Sequence, residues 1–122
     1  MVADFFHKGP QCAIFRPSKG AWYIKGHGND DYANSQGNFV INHGEQGDVP
    51  VVSNFFGNGI QLGLWRPSNG NWYIKGPGHE HWCNSQGNKT IQLGKKGDIP
   101  FAANFFGDGV RLAVWRPSNG NW

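Results

Sequence analysis

The chain repeats itself every 50 residues. Phe15-Arg16-Pro17-Ser18 returns as Trp65-Arg66-Pro67-Ser68 and again as Trp115-Arg116-Pro117-Ser118. The flanks keep the same offset. Phe5-Phe6 becomes Phe55-Phe56 and Phe105-Phe106, and Trp22 becomes Trp72 and Trp122. A period of this kind marks a stacked or radial repeat architecture. It points to repeated, equivalent binding surfaces rather than to one catalytic centre.

Residue usage speaks against helix. Glu occurs only as Glu45 and Glu80, and Leu only as Leu62, Leu64, Leu93 and Leu112, while there are 19 Gly and 15% aromatics. Aromatic and β-branched runs cut by Gly, Pro and Asn read as short strands joined by tight turns. No window carries a 3.6-residue apolar period over three turns. One unit read in order gives four strand candidates: 60–66 ended by Pro67, 71–75 ended by Gly76-Pro77-Gly78, 80–83, and 89–93. Ser68-Asn69-Gly70 supplies the first turn, because Asn-Gly accepts positive φ cheaply. The segment 95–100 then leads into the next unit.

Four antiparallel strands per unit describe one blade of a β-propeller. A sandwich, a prism and a trefoil are the other all-β arrangements. The expected fold is therefore an all-β propeller domain over residues 1–122, built from four-stranded blades. Half-units fall at 2–22, 52–72 and 102–122, with connecting halves at 23–51 and 73–101. That makes two complete units and a partial third. A propeller needs at least four blades, so the chain is expected to close by self-association, with strand exchange between neighbours, or to be a piece of a longer or engineered repeat protein.

Gly97-Asp98-Ile99-Pro100, then Asn104-Phe105-Phe106-Gly107-Asp108-Gly109, then Ala113 to Trp122 with its Arg-Pro-Ser-Asn-Gly-Asn-Trp run, resembles the FG-GAP/VCBS repeat family of bacterial propellers. The resemblance runs through essentially the whole chain. It implies a propeller of four-stranded blades used for ligand binding or adhesion, commonly extracellular. The family's loop binds calcium through acidic residues at alternate positions. Here those positions hold Asp4, Phe6 and Lys8, then Asn54, Phe56 and Asn58, then Asn104, Phe106 and Asp108. Calcium wants six to eight oxygens, and Phe and Lys supply none. No calcium or other cofactor is expected, and apolar packing of the Phe pairs is expected to replace the ion.

Several function classes are disfavoured. The net charge is only +3 and the basic residues are scattered, so no stripe for nucleic acid is visible. No apolar run is long enough to span a membrane, and the chain opens without a signal-peptide pattern. Cys12 and Cys83 do not share a repeat position, which argues against a disulfide framework and for two packed free thiols. Asn88-Lys89-Thr90 fits a glycosylation sequon. His79 and His81 alternate on one strand but have no counterpart in the first copy, a weak signal for zinc. Only Asp48 and Asp98 recur as equivalent acids, in a Gly-Asp-x-Pro turn where Asp bonds nearby amides. No catalytic constellation emerges, and the chain is not expected to be an enzyme.

The recurring Arg reads first as a packing element that reaches a neighbouring blade or a carbonyl. The copies diverge instead over Asn29-Asp30-Asp31-Tyr32 and His79-Glu80-His81-Trp82. An aromatic is kept there beside groups with planar hydrogen-bonding atoms, which suits a pyranose ring. The candidate carbohydrate-binding residues are Tyr32, Trp82, His81, Asn84, Asp31 and Asn34, with Trp72, Tyr73 and Arg66. The leading expectation is a lectin-like module, multivalent through its repeats and its assembly. The competing one is a structural or adhesion module without a small-molecule ligand.

Overall fold

The computed structural model describes residues 1–6, 9–25, 39–76 and 88–122. These form ten strands, and the 3-10 turn Pro17–Lys19 is the helical piece among them. β1 (Val2–Ala3), β2 (Gln11–Arg16), β3 (Ala21–Ile24) and β4 (Phe39–Asn42) make sheet 1, hydrogen-bonded in chain order. β5 (Val49–Ser53), β6 (Gln61–Arg66), β7 (Asn71–Lys75) and β8 (Lys89–Gln92) make sheet 2 in the same way. β9 (Ile99–Ala103) and β10 (Arg111–Trp115) pair as sheet 3. Every pairing is antiparallel. The protein is all-β, as its composition implies.

The fifty-residue period survives as register. Trp65 lies opposite Val49 on one side and Trp72 on the other, and Trp72 lies opposite Ile91. Sheet 1 sets Phe15, Trp22 and Ile41 in the same row. Side chains alternate across a strand, so each row defines one face. In sheet 1 that face carries Phe5, Trp22, Ile24 and Ile41, and it packs on Leu62 and Leu64 of sheet 2 with Val52 and Ile60 beside them. In sheet 2 the equivalent face carries Phe55, Trp65, Trp72 and Ile74, and it packs on Ala102, Val110, Leu112 and Val114. The sheets therefore stack face to face, and β6 is buried on both sides.

The strand reading needed two adjustments. The segment 95–100 is expected as a lead-in without a strand, yet its last two residues open β9, and Val49–Ser53 forms the equivalent first strand of sheet 2. Pro50 and Pro100 are tolerated because β5 and β9 are edge strands, where a missing N–H breaks no ladder. The candidate strand 80–83 lies outside the described residues. Cys12, expected to be packed, is exposed. Its equivalent Leu62 is covered by sheet 1, whereas Cys12 points from the outer face of sheet 1.

One glycine position is obligatory. Gly70 has φ 72° and closes the Asn-Gly turn by donating to Arg66 O at 2.8 Å. A Cβ there would overlap the carbonyl oxygen of Gly94. Gly20 repeats this relation with Gly44.

Leu64 is wholly buried between sheets 1 and 2. Leu64→Ala should lower unfolding stability by about 3 kcal/mol through lost burial and a residual cavity, as read from denaturant titration. Thr90→Ala on exposed β8 should change it by less than about 0.5 kcal/mol.

Candidate functional site

Register explains the recurring arginine. Val49 pairs with Trp65, so Asp48 falls opposite Arg66 at the end of the same sheet. Arg66 Nε and Nη2 donate to the two oxygens of Asp48 at 2.8 and 2.9 Å. This fork-on-carboxylate geometry fixes orientation as well as charge. The Asp48 side chain is fully shielded, and it also accepts the Glu45 amide at 3.0 Å. The Glu45 carboxylate stands 3.1 Å from Arg66 Nε. Arg116 and Asp98 repeat the clamp at 2.8 and 2.8 Å, with the Lys95 amide on Asp98 at 2.9 Å. The aspartates bond nearby amides, as the turn motif implies. The arginines, however, reach an aspartate of their own sheet rather than a neighbouring sheet or a carbonyl.

The clamp aims Arg66 at Tyr73. The guanidinium carbon lies 4.5 Å from the ring centroid, within cation–π range. Asn71 sits two residues before Tyr73 on β7 and therefore on the same face. Asn69 and Asn71 donate their amide N–H groups to the Tyr73 hydroxyl at 3.1 and 3.2 Å. Asn69 Oδ1 accepts the Asn71 backbone N–H at 2.9 Å, which locks the turn. The two amides, Asn71 first, hold the phenol pKa below its ordinary value. His43 of sheet 1 donates from Nε2 to the Tyr73 carbonyl at 3.1 Å, and burial keeps its pKa below the usual histidine value. In sheet 1 Arg16 stacks on Tyr23 at 4.6 Å.

The tryptophans serve a different purpose. Trp65 and Trp72 both donate their indole N–H to Leu93 O, at 3.0 and 3.2 Å. Trp22 donates to the equivalent His43 O at 3.0 Å. Trp72 lies on the opposite face of β7 from Tyr73 and is completely buried, so its ring belongs to the core and not to a ligand surface.

Of the sequence-derived candidates, Arg66 and Tyr73 come together and Trp72 does not join them. Asp31, Tyr32, Asn34, His81, Trp82 and Asn84 lie outside the described residues. Asn69 and Asn71 were missed as site residues. Their signal was present: a turn Asn and a strand Asn placed four and two residues before a Tyr.

The loops of the calcium-type resemblance are closed by side chains. Asp4, Asn54 and Asn104 accept the amides of Gly9, Gly59 and Gly109 at 3.2, 3.1 and 3.3 Å. Phe5 and Phe55 are buried above them. Phe6 is also packed against the sheet 1 core, whereas Phe56, Phe105 and Phe106 are exposed, so the pair packs as expected in the first copy, by one ring in the second and by neither in the third.

No protein-family model, curated protein or solved structure matches the chain.

The Arg116 hydrogen bonds, chiefly, hold Asp98 at a pKa of about 2, against about 3.9 for a free aspartate. A depressed folded-state pKa gives stability that is full above the unfolded value and is lost as pH falls through the folded one. Wild type should therefore exceed Asp98→Asn in stability at neutral pH. The gap should close between about pH 4 and pH 2 in acid-dependent denaturation.

Proposed function

We propose that this chain is a non-enzymatic, repeat-built binding module of propeller-type blades, and that it binds carbohydrate. The observation that carries the reading is the Tyr73 cluster. An aromatic ring, a clamped guanidinium and two side-chain amides meet at one turn. A sugar ring offers C–H groups to an aromatic face and hydroxyls to fixed donors and acceptors. The Tyr73 hydroxyl already accepts two amide N–H groups, so its own hydrogen remains to be donated. Preorganisation matters here, because a site whose side chains are already fixed loses less entropy on binding.

The blade reading is supported by two four-stranded antiparallel sheets that follow chain order. It is supported also by β5 lying beside β9, first strand against first strand, as blades radiating from a common axis would place them. Closure of the loops by Asp4, Asn54 and Asn104 supports a fold that needs no calcium.

A second reading, a structural or adhesion module with no small ligand, is favoured by one specific observation. The recurring Arg116 and the indole N–H groups of Trp22, Trp65 and Trp72 are all engaged by the fold itself.

A glycan array with the purified chain separates the two. Selective binding to one sugar family is expected, and Tyr73→Ala should weaken it by at least about tenfold, the loss of one aromatic contact. Tyr73→Phe should fall between Ala and wild type. Tyr32→Ala and Trp82→Ala report whether the diverging segments add contacts. A blank array from folded protein overturns the carbohydrate reading, and sugar binding untouched by all three Ala changes overturns the assignment of the site.

A further inference from the structure

The two interfaces inside the chain are one interface used twice. Sheet 1 presents Phe5, Trp22, Ile24 and Ile41 to Leu62 and Leu64 of sheet 2. Sheet 2 presents Phe55, Trp72, Ile74 and Ile91 to Leu112 and Val114 of sheet 3. Each pair of contacts is related by 50 residues. One half of the interface is an aromatic face and the other an aliphatic face.

Each half also occurs once without a partner among the described residues. The aromatic half recurs on sheet 3 as Phe105, Trp115 and Trp122, joined by Phe101. Trp122 lies 4.9 Å from Phe101 and 6.2 Å from Trp115, centroid to centroid. Trp22 and Trp72 are 0% exposed, but Trp122 is 76% exposed, and Phe105 is 44% exposed where Phe5 is 1%. The aliphatic half recurs on the outer face of sheet 1. There Ile14 and Val2 are 55% and 67% exposed, while Leu64, the equivalent of Ile14, is 0% exposed. That outer face holds an apolar groove of about 470 Å³ whose lining includes Cys12, Ile14, Tyr23, Lys25 and Val40.

We propose that the Phe105–Trp115–Trp122 face of one copy of this chain docks on the Val2–Cys12–Ile14 face of a second copy, head to tail. The occupant is specified by the chain itself. The two free faces are the matching halves of a contact that the same sequence already makes twice, so a second copy extends an established interface. Contiguous exposed apolar residues rimmed by polar ones mark interaction surfaces. Because the two halves differ, the contact is heterologous, and repetition leads to a ring if the rotation closes and a filament if it does not. The inference does not depend on sugar binding.

The test uses the full chain in sedimentation velocity over a wide dilution series. Wild type should exceed the 13.5 kDa monomer in a concentration-dependent way. Ile14→Lys and Trp122→Lys should each weaken self-association by at least about 30-fold, the effect of a lost interface hot spot. Val2→Lys serves as a second aliphatic-face variant, and emission from the buried Trp22, Trp65 and Trp72 reports that each variant is folded. Lys96→Ser, in an exposed turn, should assemble as wild type does. The decisive sample is an equimolar mixture of Ile14→Lys with Trp122→Lys. Each variant keeps one intact face, so the mixture should form one-to-one dimers that neither forms alone. A monomeric wild type overturns the proposal. So does a mixture that stays monomeric, or a folded single variant that associates as strongly as wild type.

Discussion

β6 must be covered on both of its faces, and the rest of the molecule follows from that requirement. Leu62 and Leu64 point to one side and Trp65 to the other, and all three are buried. A strand that is apolar on both sides cannot lie at a solvent-facing surface, so sheet 2 needs a neighbour on each face. Sheet 1 covers one face with Phe5, Trp22, Ile24 and Ile41, and sheet 3 covers the other with Ala102, Leu112 and Val114. The large area of three fully buried indoles, Trp22, Trp65 and Trp72, is the main source of this stacking. It also dictates what happens to their polar atoms. A buried N–H without a partner is destabilising, and each indole is aimed at the carbonyl that follows the last strand of its sheet. The carbonyl that takes Trp65 and Trp72 belongs to Leu93, whose own N–H donates to Gly70 O at 2.9 Å. Core, last strand and Asn-Gly turn are thus tied by one run of hydrogen bonds.

The Asp–Arg clamp closes that same end of the first two strands in sheet 2, and sheet 3 repeats it. A carboxylate shielded as fully as Asp48 or Asp98 is tolerated only when its charge is paired and its lone pairs are filled. Both conditions are met, by the guanidinium fork and by a turn amide. The Arg remains partly exposed, so its far edge stays available while its near edge is fixed. That division is what turns a structural element into a platform for Tyr73.

Repetition and composition made the strand-rich class, the Asn-Gly turn and the second strand at 71–75 legible, because each rests on local chemistry or on a fixed offset. β5 and β9 were less legible. Val49-Pro50-Val51 contains a residue that normally interrupts strands, and only the sheet's edge position makes Pro50 acceptable. Asp48 was read correctly as a turn residue, but its pairing with Arg66 depends on register across 18 residues, which no local pattern carries. Trp72 and Tyr73 are adjacent in sequence and chemically alike, yet strand alternation sends one to the core face packed on sheet 3 and leaves the other half-buried on the face towards sheet 1. Composition alone does not tell which is which. The direction follows once the neighbouring sheet is known.

The repeat also breaks its own symmetry in a way that bears on binding. Tyr23 and Arg16 reproduce the ring and the guanidinium of the Tyr73 cluster, but Lys19 and Ala21 stand where Asn69 and Asn71 do, and Ala21 has no polar side chain. Among the described residues, these two positions therefore offer the Tyr23 hydroxyl no pair of amides like that which orients Tyr73. Equivalent sequence positions thus yield one well-ordered cluster and one looser relative. A ligand that needs fixed donors should favour the second repeat, and strong multivalent binding would then come from several copies, each bringing its own Tyr73, rather than from several equal sites within one chain.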